Sequence, residues 1–194
     1  MKAAAGLLRP LEGSLVASCR QRAYLSQRQT LDHSFPARVK DLIDLGLFPE
    51  RGLFGKTTRK HRERCAEALA CVGMSGRESV SLGVLSGGQL QRVLFARVIV
   101  QDADLILLDE PFNGVDSATQ TDLLFLLHEW AEQGRAVVCV LHDHSLVLEH
   151  FDHMAFISDG SVMSMPVQVS HRFSEERVEN LNLSLDLRRV QASK

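Results

Sequence analysis

A helix start at Ser86 that leads into an apolar run as far as Val100 constrains the fold of this chain more than any other stretch. Ser86 and Gln89 have the spacing of a capping box, in which each side chain bonds the backbone amide of the other residue. Gly87 and Gly88 stand between them, although each glycine costs a helix up to about 1 kcal/mol relative to alanine. Two alternatives follow: an ordinary cap with small neighbours, or a helix end whose bare amides admit an anion.

The segments after this helix predict an α/β fold with a parallel sheet. Leu105–Leu108 is a continuous apolar run, as in strands that are buried on both faces of such a sheet. A helix capped by Asp116 or Ser117 separates it from a second predicted buried strand, Ala136–Leu141. Strand, helix and strand in this order form a βαβ crossover, in which ligands bind at the carboxyl ends of the strands. A hairpin is predicted to follow over His153–Met163.

Charged residues follow both predicted strands. Asp109 and Glu110 end the first strand, and His142 and Asp143 follow the second, so we expect all four at the same edge of the sheet. In phosphoryl transfer, one carboxylate at such an edge holds Mg²⁺ and a neighbouring group activates the attacking water. Pro111 is expected to keep Glu110 extended and so to aim its side chain. The alternative is a polar strand end in water; the four histidines between 142 and 153 lack metal-ligand spacing.

The first half of the chain predicts mainly helices. Residues 1–8 are predicted as a helix, and Ser14–Ser18 and Arg22–Leu25 as short strands. Helical spacing of apolar residues recurs over Val39–Leu47 and over Thr58–Val72. The residues expected on the buried face of the second of these helices are Cys65, Ala66, Leu69 and Ala70.

These patterns predict a domain over residues 1–165, with a helical subdomain at about 34–90 inserted into an α/β core. Residues 166–194 form a carboxyl-terminal extension to which no role is assigned. Within it, the sequence favours a helix over 174–180 and an edge strand over 181–187.

Composition excludes several classes of function. With 194 residues and 45% hydrophobic content, the chain can bury one substantial core. A net charge of -2 and dispersed basic residues leave no nucleic-acid footprint. Four cysteines without a CxxC pair favour neither a disulfide framework nor a zinc site, which suits a reducing cytosol. No apolar stretch is long enough to span a bilayer.

Five motifs, in order and at matching intervals, resemble those of ABC-type ATPases. Leu85–Gln89 is similar to the signature motif, and Leu105–Glu110 to the Walker B strand with its catalytic glutamate. Gly114–Asp116 resembles the D-loop and Val140–Asp143 the switch histidine. Tyr24–Gln27 resembles the Q-loop, with serine at its third position where proline is more usual.

The resemblance implies a P-loop NTPase (RecA-like) core of the ABC ATPase type, with ATP and Mg²⁺ as cofactors. It also implies a dimer with a second ATP-binding subunit, in which two ATP molecules are held at the interface. Ser86, Gly87, Gly88 and Gln89 would then contact the ATP of the partner, and Asp116 would cross the interface.

The resemblance places a second group of residues at the chain's own ATP. Glu110 and His142 would be catalytic, and Gln27 and Asp109 would bind the nucleotide and its Mg²⁺. The implied function is hydrolysis of ATP to drive transport.

The resemblance is strongest to subunits of manganese, zinc or iron-chelate importers, on the stretches Ser34–Pro36, Gly52–Gly55 and Gln91–Asp116. The implied partners are transmembrane permease subunits and a substrate-binding protein, with no nucleic acid. The implied location is peripheral, at the cytoplasmic face of the inner or plasma membrane.

One motif of the family is missing from these residues. The phosphate loop GxxxxGK[ST] does not occur, because Gly55-Lys56-Thr57 has Glu50 where the first glycine should stand. We therefore expect a subunit shortened at its amino terminus, lacking the first strand and the phosphate loop, and a chain that alone is inactive. The alternative function is an interaction protein that only offers its signature motif to the ATP of a partner.

Overall fold

The computed structural model of the chain describes residues 1–26, 36–52, 55–158 and 160–167. The chain divides into two compact units, Met1–Val140 and Leu141–Lys194. In the described residues, the first unit contains a parallel sheet and five helices, and the second contains a short helix and a hairpin.

The sheet of the first unit has three parallel strands, β1 (Arg22–Leu25), β2 (Leu105–Asp109) and β3 (Ala136–Val140), in the order β1-β2-β3. The predicted strand after Leu105 is therefore confirmed, and its three middle residues are buried. The prediction that β3 is also buried is wrong, since Val138 is 45% exposed. Among the described strands, β1 and β3 each pair with β2 alone, but Ala23 and Leu25 of β1 are buried, so the exposure of β3 comes from weaker packing against its faces.

The predicted crossover between these strands is confirmed by helix α5 (Ser117–Glu132), which separates the parallel strands β2 and β3. Asp116 is its cap, because the carboxylate accepts a hydrogen bond from the backbone N–H of Thr119. The helix packs through Trp130, whose ring stacks on Phe95 with the centroids 6.0 Å apart.

Between β1 and β2, every regular element in the described residues is helical. These helices are α1 (Val39–Asp44), a 3₁₀ turn at Leu45–Leu47, α2 (Phe48–Arg51), α3 (Arg59–Cys71) and α4 (Gly87–Gln101), with a further 3₁₀ turn before α4. None of the helices in the described ranges combines the length and apolarity needed to cross a membrane.

The first of these helices and its 3₁₀ turn bury the predicted apolar face. The buried residues are Val39, Leu42, Ile43, Gly46 and Leu47. Gly46 lies against α4, where a Cβ atom would come within 2.6 Å of the carbonyl oxygen of Arg97. A side chain at position 46 would therefore separate the two helices.

The face predicted to be buried on α3 is partly wrong. Leu69 is buried as expected, but Ala66 and Ala70 are exposed and Cys65 is half-buried. The buried stripe instead includes His61, because its ring nitrogens bond the Thr58 amide and a Glu50 carboxylate and so satisfy its polar atoms inside. The buried face of α3 therefore includes a polar residue and departs from the purely apolar pattern that was predicted.

The predicted helix over residues 1–8 is a single turn. Ala5 N–H donates to the Met1 carbonyl at 2.9 Å, and Gly6 then takes a φ of +77°, a left-handed conformation that commonly ends helices. One turn fixes several residues for little hydrogen bonding, so it does not propagate past such a residue. Ser14–Ser18, predicted as a strand, has no strand structure.

The second unit begins with α6 (His144–His150), which is capped by the Asp143 carboxylate. The predicted hairpin is confirmed as β4 (His153–Ser158) and β5 (Ser161–Pro166), paired antiparallel and longer than expected at its end. The rings of His144 and Phe156 meet edge to face, with centroids 5.9 Å apart, which packs α6 against this hairpin.

Some predictions fall outside the described residues. These are the position of Gln27, the helix over 174–180 and the edge strand over 181–187. The boundaries proposed for the helical subdomain and for the whole ATPase domain stay predictions.

Candidate functional site

The helix start at Ser86 has the predicted capping box. The Gln89 N–H donates to the Ser86 hydroxyl at 3.2 Å, and the Ser86 N–H donates to the Gln89 side-chain oxygen at 3.1 Å. The next amide, that of Leu90, bonds the Ser86 carbonyl. Among the described residues, no acceptor is recorded for the amides of Gly87 and Gly88, so the helix start keeps two donors at its positive end.

Packing within the chain also favours glycine at both positions, which the sequence did not predict. A Cβ at Gly87 would lie 3.1 Å from the Gly114 carbonyl oxygen, and one at Gly88 would lie 3.2 Å from the Asp116 carboxylate. Both distances are shorter than ordinary van der Waals contact. The glycines therefore let the loop after β2 approach the start of α4. A glycine in that loop, at residue 114, is the signal in the sequence that could have suggested it.

Asp116 is held in one orientation beside this helix start. One carboxylate oxygen accepts from the Thr119 N–H and the other from the Thr119 hydroxyl, both at 2.9 Å. The bond from the Thr119 N–H, followed by the bond from its hydroxyl, lowers the pKa of Asp116 below its ordinary value. The structure thus presents an exposed, ionised and oriented carboxylate at the predicted D-loop.

Arg92 connects α4 to its neighbours on both sides. Its guanidinium donates to the Val72 carbonyl at 3.1 Å, to the Thr119 hydroxyl at 3.3 Å and to the Asp122 carboxylate at 2.8 Å. The same side chain therefore ties the end of α3 and the first turns of α5 to α4. Sequence reasoning did not find this residue, because its partners lie on separate elements.

Asp109 ends β2 and has a partner on the neighbouring strand. The Tyr24 hydroxyl, on β1, donates to one oxygen of the Asp109 carboxylate at 3.1 Å. Burial, then the hydrogen bond to Asp109 and its charge, raise the pKa of Tyr24. The phenol thus stays protonated and holds the carboxylate. Tyr24 was missed as a site residue, although a polar tip between the apolar residues Ala23 and Leu25 is the signal for such a contact.

Glu110 does not have the extended backbone that its neighbour Pro111 led us to expect. Its φ is +50°, in a region that costs a non-glycine residue about 1–2 kcal/mol. Its N–H still bonds the Val140 carbonyl at 3.0 Å, as a continuation of the sheet, while the chain turns at once so that the Asn113 N–H reaches the Glu110 carbonyl. The chain turns sharply between these two bonds, and the following proline disfavours right-handed helical backbone at Glu110. Together these two effects account for its left-handed conformation.

The Glu110 carboxylate accepts a further bond from the Asn113 side-chain amide at 3.3 Å. The turn therefore positions both the backbone and the side chain of this residue. Asn113 is another residue that the motif comparison did not single out.

The structure brings some of the predicted site residues together. Asp109 and Glu110 lie at the carboxyl end of β2, where Asp109 pairs with Val140 of β3. His142 follows two residues later, in the second unit, so its approach to the carboxylates stays a prediction. In the described ranges, no group of three or more histidine, cysteine, aspartate or glutamate side chains could hold a metal ion unaided.

The donors present fit a magnesium nucleotide in part. Asp109 supplies a carboxylate oxygen, the ligand type that Mg²⁺ prefers, and it is already oriented by a hydrogen bond. The Gly87 and Gly88 amides are suited to phosphate oxygens. Other ligands of the ion would come from the nucleotide, as is usual for Mg²⁺ in such sites.

Comparison with known proteins gives concordant matches. The sequence model of the family described as ABC transporter matches residues 1–113. The chain is 36% identical over 157 residues to the manganese transport system ATP-binding protein MntB of Listeria monocytogenes, covering 81% of this chain and 65% of that protein. It is 37% identical over 165 residues to the zinc transport system ATP-binding protein TroB of Treponema pallidum, covering 82% and 59%.

The fold is also found among solved structures. A metal-chelate type ABC transporter in an inward-facing conformation superposes with a TM-score of 0.77 and 24% identity, over 86% of this chain and 66% of that one. The chain spans less than two thirds of the length of the two metal-transport relatives.

Proposed function

This chain belongs to the ABC transporter family, and we propose that it forms the part of an ATP-binding subunit that carries the signature, Walker B, D-loop and switch motifs of a metal importer. Manganese, zinc or an iron chelate is the proposed cargo. The manganese and zinc relatives support this assignment. The cargo itself would be handled by other subunits, so the ATP-binding residues do not choose among the three.

The observation that carries the proposal is the arrangement at the start of α4. The capping box satisfies the Gln89 amide and leaves the Gly87 and Gly88 amides without a recorded acceptor. A helix start of this kind attracts an anion through its amides and its positive end. In the proposed dimer, Ser86, Gly87, Gly88 and Gln89 bind the terminal phosphate of the ATP held by the second subunit.

Beside this helix start lies the ionised Asp116, which is oriented by Thr119. A carboxylate next to a phosphate is unfavourable within one site. We therefore propose that Asp116 points across the interface to the partner subunit rather than to the same phosphate.

The carboxyl end of β2 is the proposed hydrolytic centre for the chain's own ATP. Asp109, held by Tyr24, and Gln27 would hold Mg²⁺, which neutralises charge on the phosphates when it is bound. Glu110 accepts the proton of the attacking water, and His142 contacts the terminal phosphate. The left-handed turn at Glu110 sets the carboxylate at the strand end, and the Asn113 amide limits its rotation.

The proposed assembly contains a second ATP-binding subunit, membrane permease subunits and a substrate-binding protein. This chain would lie peripherally at the cytoplasmic face of the membrane. Closure of two subunits around ATP would move the permease, which is how hydrolysis is coupled to uptake.

Uptake of metal ions by cells tests this function. We would replace the gene with the Glu110→Gln variant and measure accumulation of manganese, zinc and an iron chelate. We expect at least a tenfold loss of uptake for one of them, as is usual for removal of a general base. Glu132→Gln is the matched control, because Glu132 is an exposed residue at the end of α5, and it should retain uptake. Normal uptake of all three cargoes in the Glu110→Gln cells would contradict the proposal.

A polypeptide of only these 194 residues is expected to show no ATP turnover. It contains no GxxxxGK[ST] loop, and that loop supplies most of the amides and the lysine that hold the β- and γ-phosphates. Phosphate release by the purified polypeptide is the measurement. Turnover that Glu110→Gln abolishes would show that the phosphates are held in another way.

A further inference from the structure

Gln91 connects α4 to the loop that follows Glu110. Its side-chain amide donates to the Pro111 carbonyl, with 2.6 Å between nitrogen and oxygen. Pro111 is buried and Gln91 is half-buried, so water does not readily replace this donor. A buried carbonyl that loses its donor is destabilised locally.

The bond lies next to the strained residue of the site. Glu110 has a φ of +50°, a conformation that persists only where its surroundings hold it. On one side, the Glu110 N–H is held by the Val140 carbonyl. On the other side, Pro111 has no N–H of its own, and its carbonyl is held by Gln91.

The same loop touches α4 at a second point. Gly114, at the end of the loop, lies close to Gly87. A Cβ atom added at Gly87 would be 3.1 Å from the Gly114 carbonyl oxygen. Gln91 is one turn along the helix from Gly87. Contacts at both ends of the loop mean that a displacement of the start of α4 must be followed by the segment from Pro111 to Gly114.

We propose that Gln91 is a positioning residue that sets the backbone of Glu110 according to the position of α4. The structural part of this inference depends on the hydrogen bond from the Gln91 side chain to the Pro111 carbonyl. Its catalytic consequence rests on the proposed function: engagement of the helix start by the phosphate of one ATP would adjust Glu110 at the other ATP. Gln91 is not among the residues proposed to bind either nucleotide.

Residue-resolved amide hydrogen exchange of the 194-residue chain tests the structural part. In Gln91→Met, which keeps the length of the side chain and removes the donor, the Glu110 and Asn113 amides should exchange about tenfold faster. Gln91→Lys restores a donor and should return exchange toward the original rate. Gln101→Met is the matched control on the same helix, since the Gln101 side-chain oxygen is buried without a hydrogen-bond partner among the described residues.

The outcomes separate positioning from general destabilisation. Faster exchange confined to the segment from Glu110 to Gly114, reversed by lysine and absent in Gln101→Met, supports the proposal. Unchanged exchange at Glu110 in Gln91→Met would overturn it. Equal acceleration in the methionine and lysine variants would overturn it as well, because the donor would then be irrelevant.

Kinetics of the assembled transporter test the catalytic part. Gln91→Met should lower kcat about tenfold at unchanged KM. The reason is that it changes the backbone position of Glu110, the proposed general base, and no group that is proposed to bind ATP. A raised KM at unchanged kcat would overturn the positioning role. An assembly without any ATP turnover would contradict the proposed function, and the exchange experiment would then decide the structural inference by itself.

Discussion

Gly46→Ala is the substitution whose effect the packing determines most directly. The new methyl carbon would lie 2.6 Å from the Arg97 carbonyl oxygen and 3.2 and 3.3 Å from two carbons of Val100. The nearest atom belongs to the backbone of α4 and cannot rotate away. The 3₁₀ turn that carries Gly46 must therefore move off α4 as a unit.

Two opposing terms give the magnitude. Overpacking of this kind costs about 1–3 kcal/mol, and a backbone obstacle favours the upper end of that range. Alanine recovers up to about 1 kcal/mol of helical propensity relative to glycine. The net loss is about 2 kcal/mol, which lowers the melting temperature of a chain of this size by about 4–8 °C.

Thermal unfolding followed by far-ultraviolet circular dichroism measures this loss. Gly88→Ala is the comparison, because its Cβ would lie 3.2 and 3.4 Å from oxygens of the Asp116 and Thr119 side chains, so a shift of a few tenths of an ångström relieves the contact without moving a backbone. We expect Gly88→Ala to change the free energy of unfolding by less than about 1 kcal/mol. A melting temperature of Gly46→Ala equal to or above that of the unaltered chain would refute the packing argument.

Three further predictions concern single interactions. Ser86→Ala removes the cap of α4 and should lower the free energy of unfolding by about 1 kcal/mol, as measured by urea titration; no change would mean that the box is not formed in solution. Hydrogen bonds from the backbone amides of Arg20, then Gln21, lower the pKa of Asp104 from its ordinary 3.8. The stability that Asp104 contributes is therefore present above pH 3.8 and is lost as the pH falls through the lowered pKa. Asp104→Asn should make acid unfolding less steep. Burial first, and then Asp109, raise the pKa of Tyr24 above 10.0, so stability is lost as the pH rises beyond that value. Tyr24 is the one tyrosine of the chain, so ultraviolet absorbance reports its titration, and Asp109→Asn should lower the midpoint; an unchanged midpoint would count against the hydrogen bond.

Local patterns in the sequence predicted the elements whose causes are local. The capping box at Ser86 needs only two side chains in one turn, and the strand at Leu105 needs only an apolar run. The cap of α5 at Asp116 and the parallel pairing of β2 with β3 follow from spacing in the same way.

Contacts between distant segments account for most of what the sequence did not predict. Burial of β3 depends on what packs against its faces, which its composition does not state: β1 also has one strand neighbour, yet its Ala23 and Leu25 are buried. The bond from Tyr24 to Asp109 joins residues on separate strands, and the role of Gly87 depends on where Gly114 arrives. The buried face of α3 was not predicted because the His61 ring is buried with a hydrogen-bond partner, Glu50, that lies outside this helix.

Glu110 shows how a correct rule gave a wrong expectation. Proline does disfavour right-handed helical backbone in the residue before it, which leaves extended backbone as the usual result. Here the sheet holds the Glu110 N–H while the chain turns within three residues to bond its carbonyl. The left-handed region, with φ at +50°, satisfies both bonds. Local preference therefore gave way at the residue proposed as the general base.

The central claim is that the start of α4 binds the terminal phosphate of an ATP held by a second subunit. The most direct measurement is photo-crosslinking of the purified transporter with an ATP analogue that carries a photoreactive group on its γ-phosphate, followed by mass spectrometry of this chain. The account predicts an adduct on the peptide that contains Ser86–Gln89, suppressed by excess ATP and lost when the second ATP-binding subunit is omitted. Absence of an adduct on that peptide, or an adduct there that persists without that subunit, would contradict it.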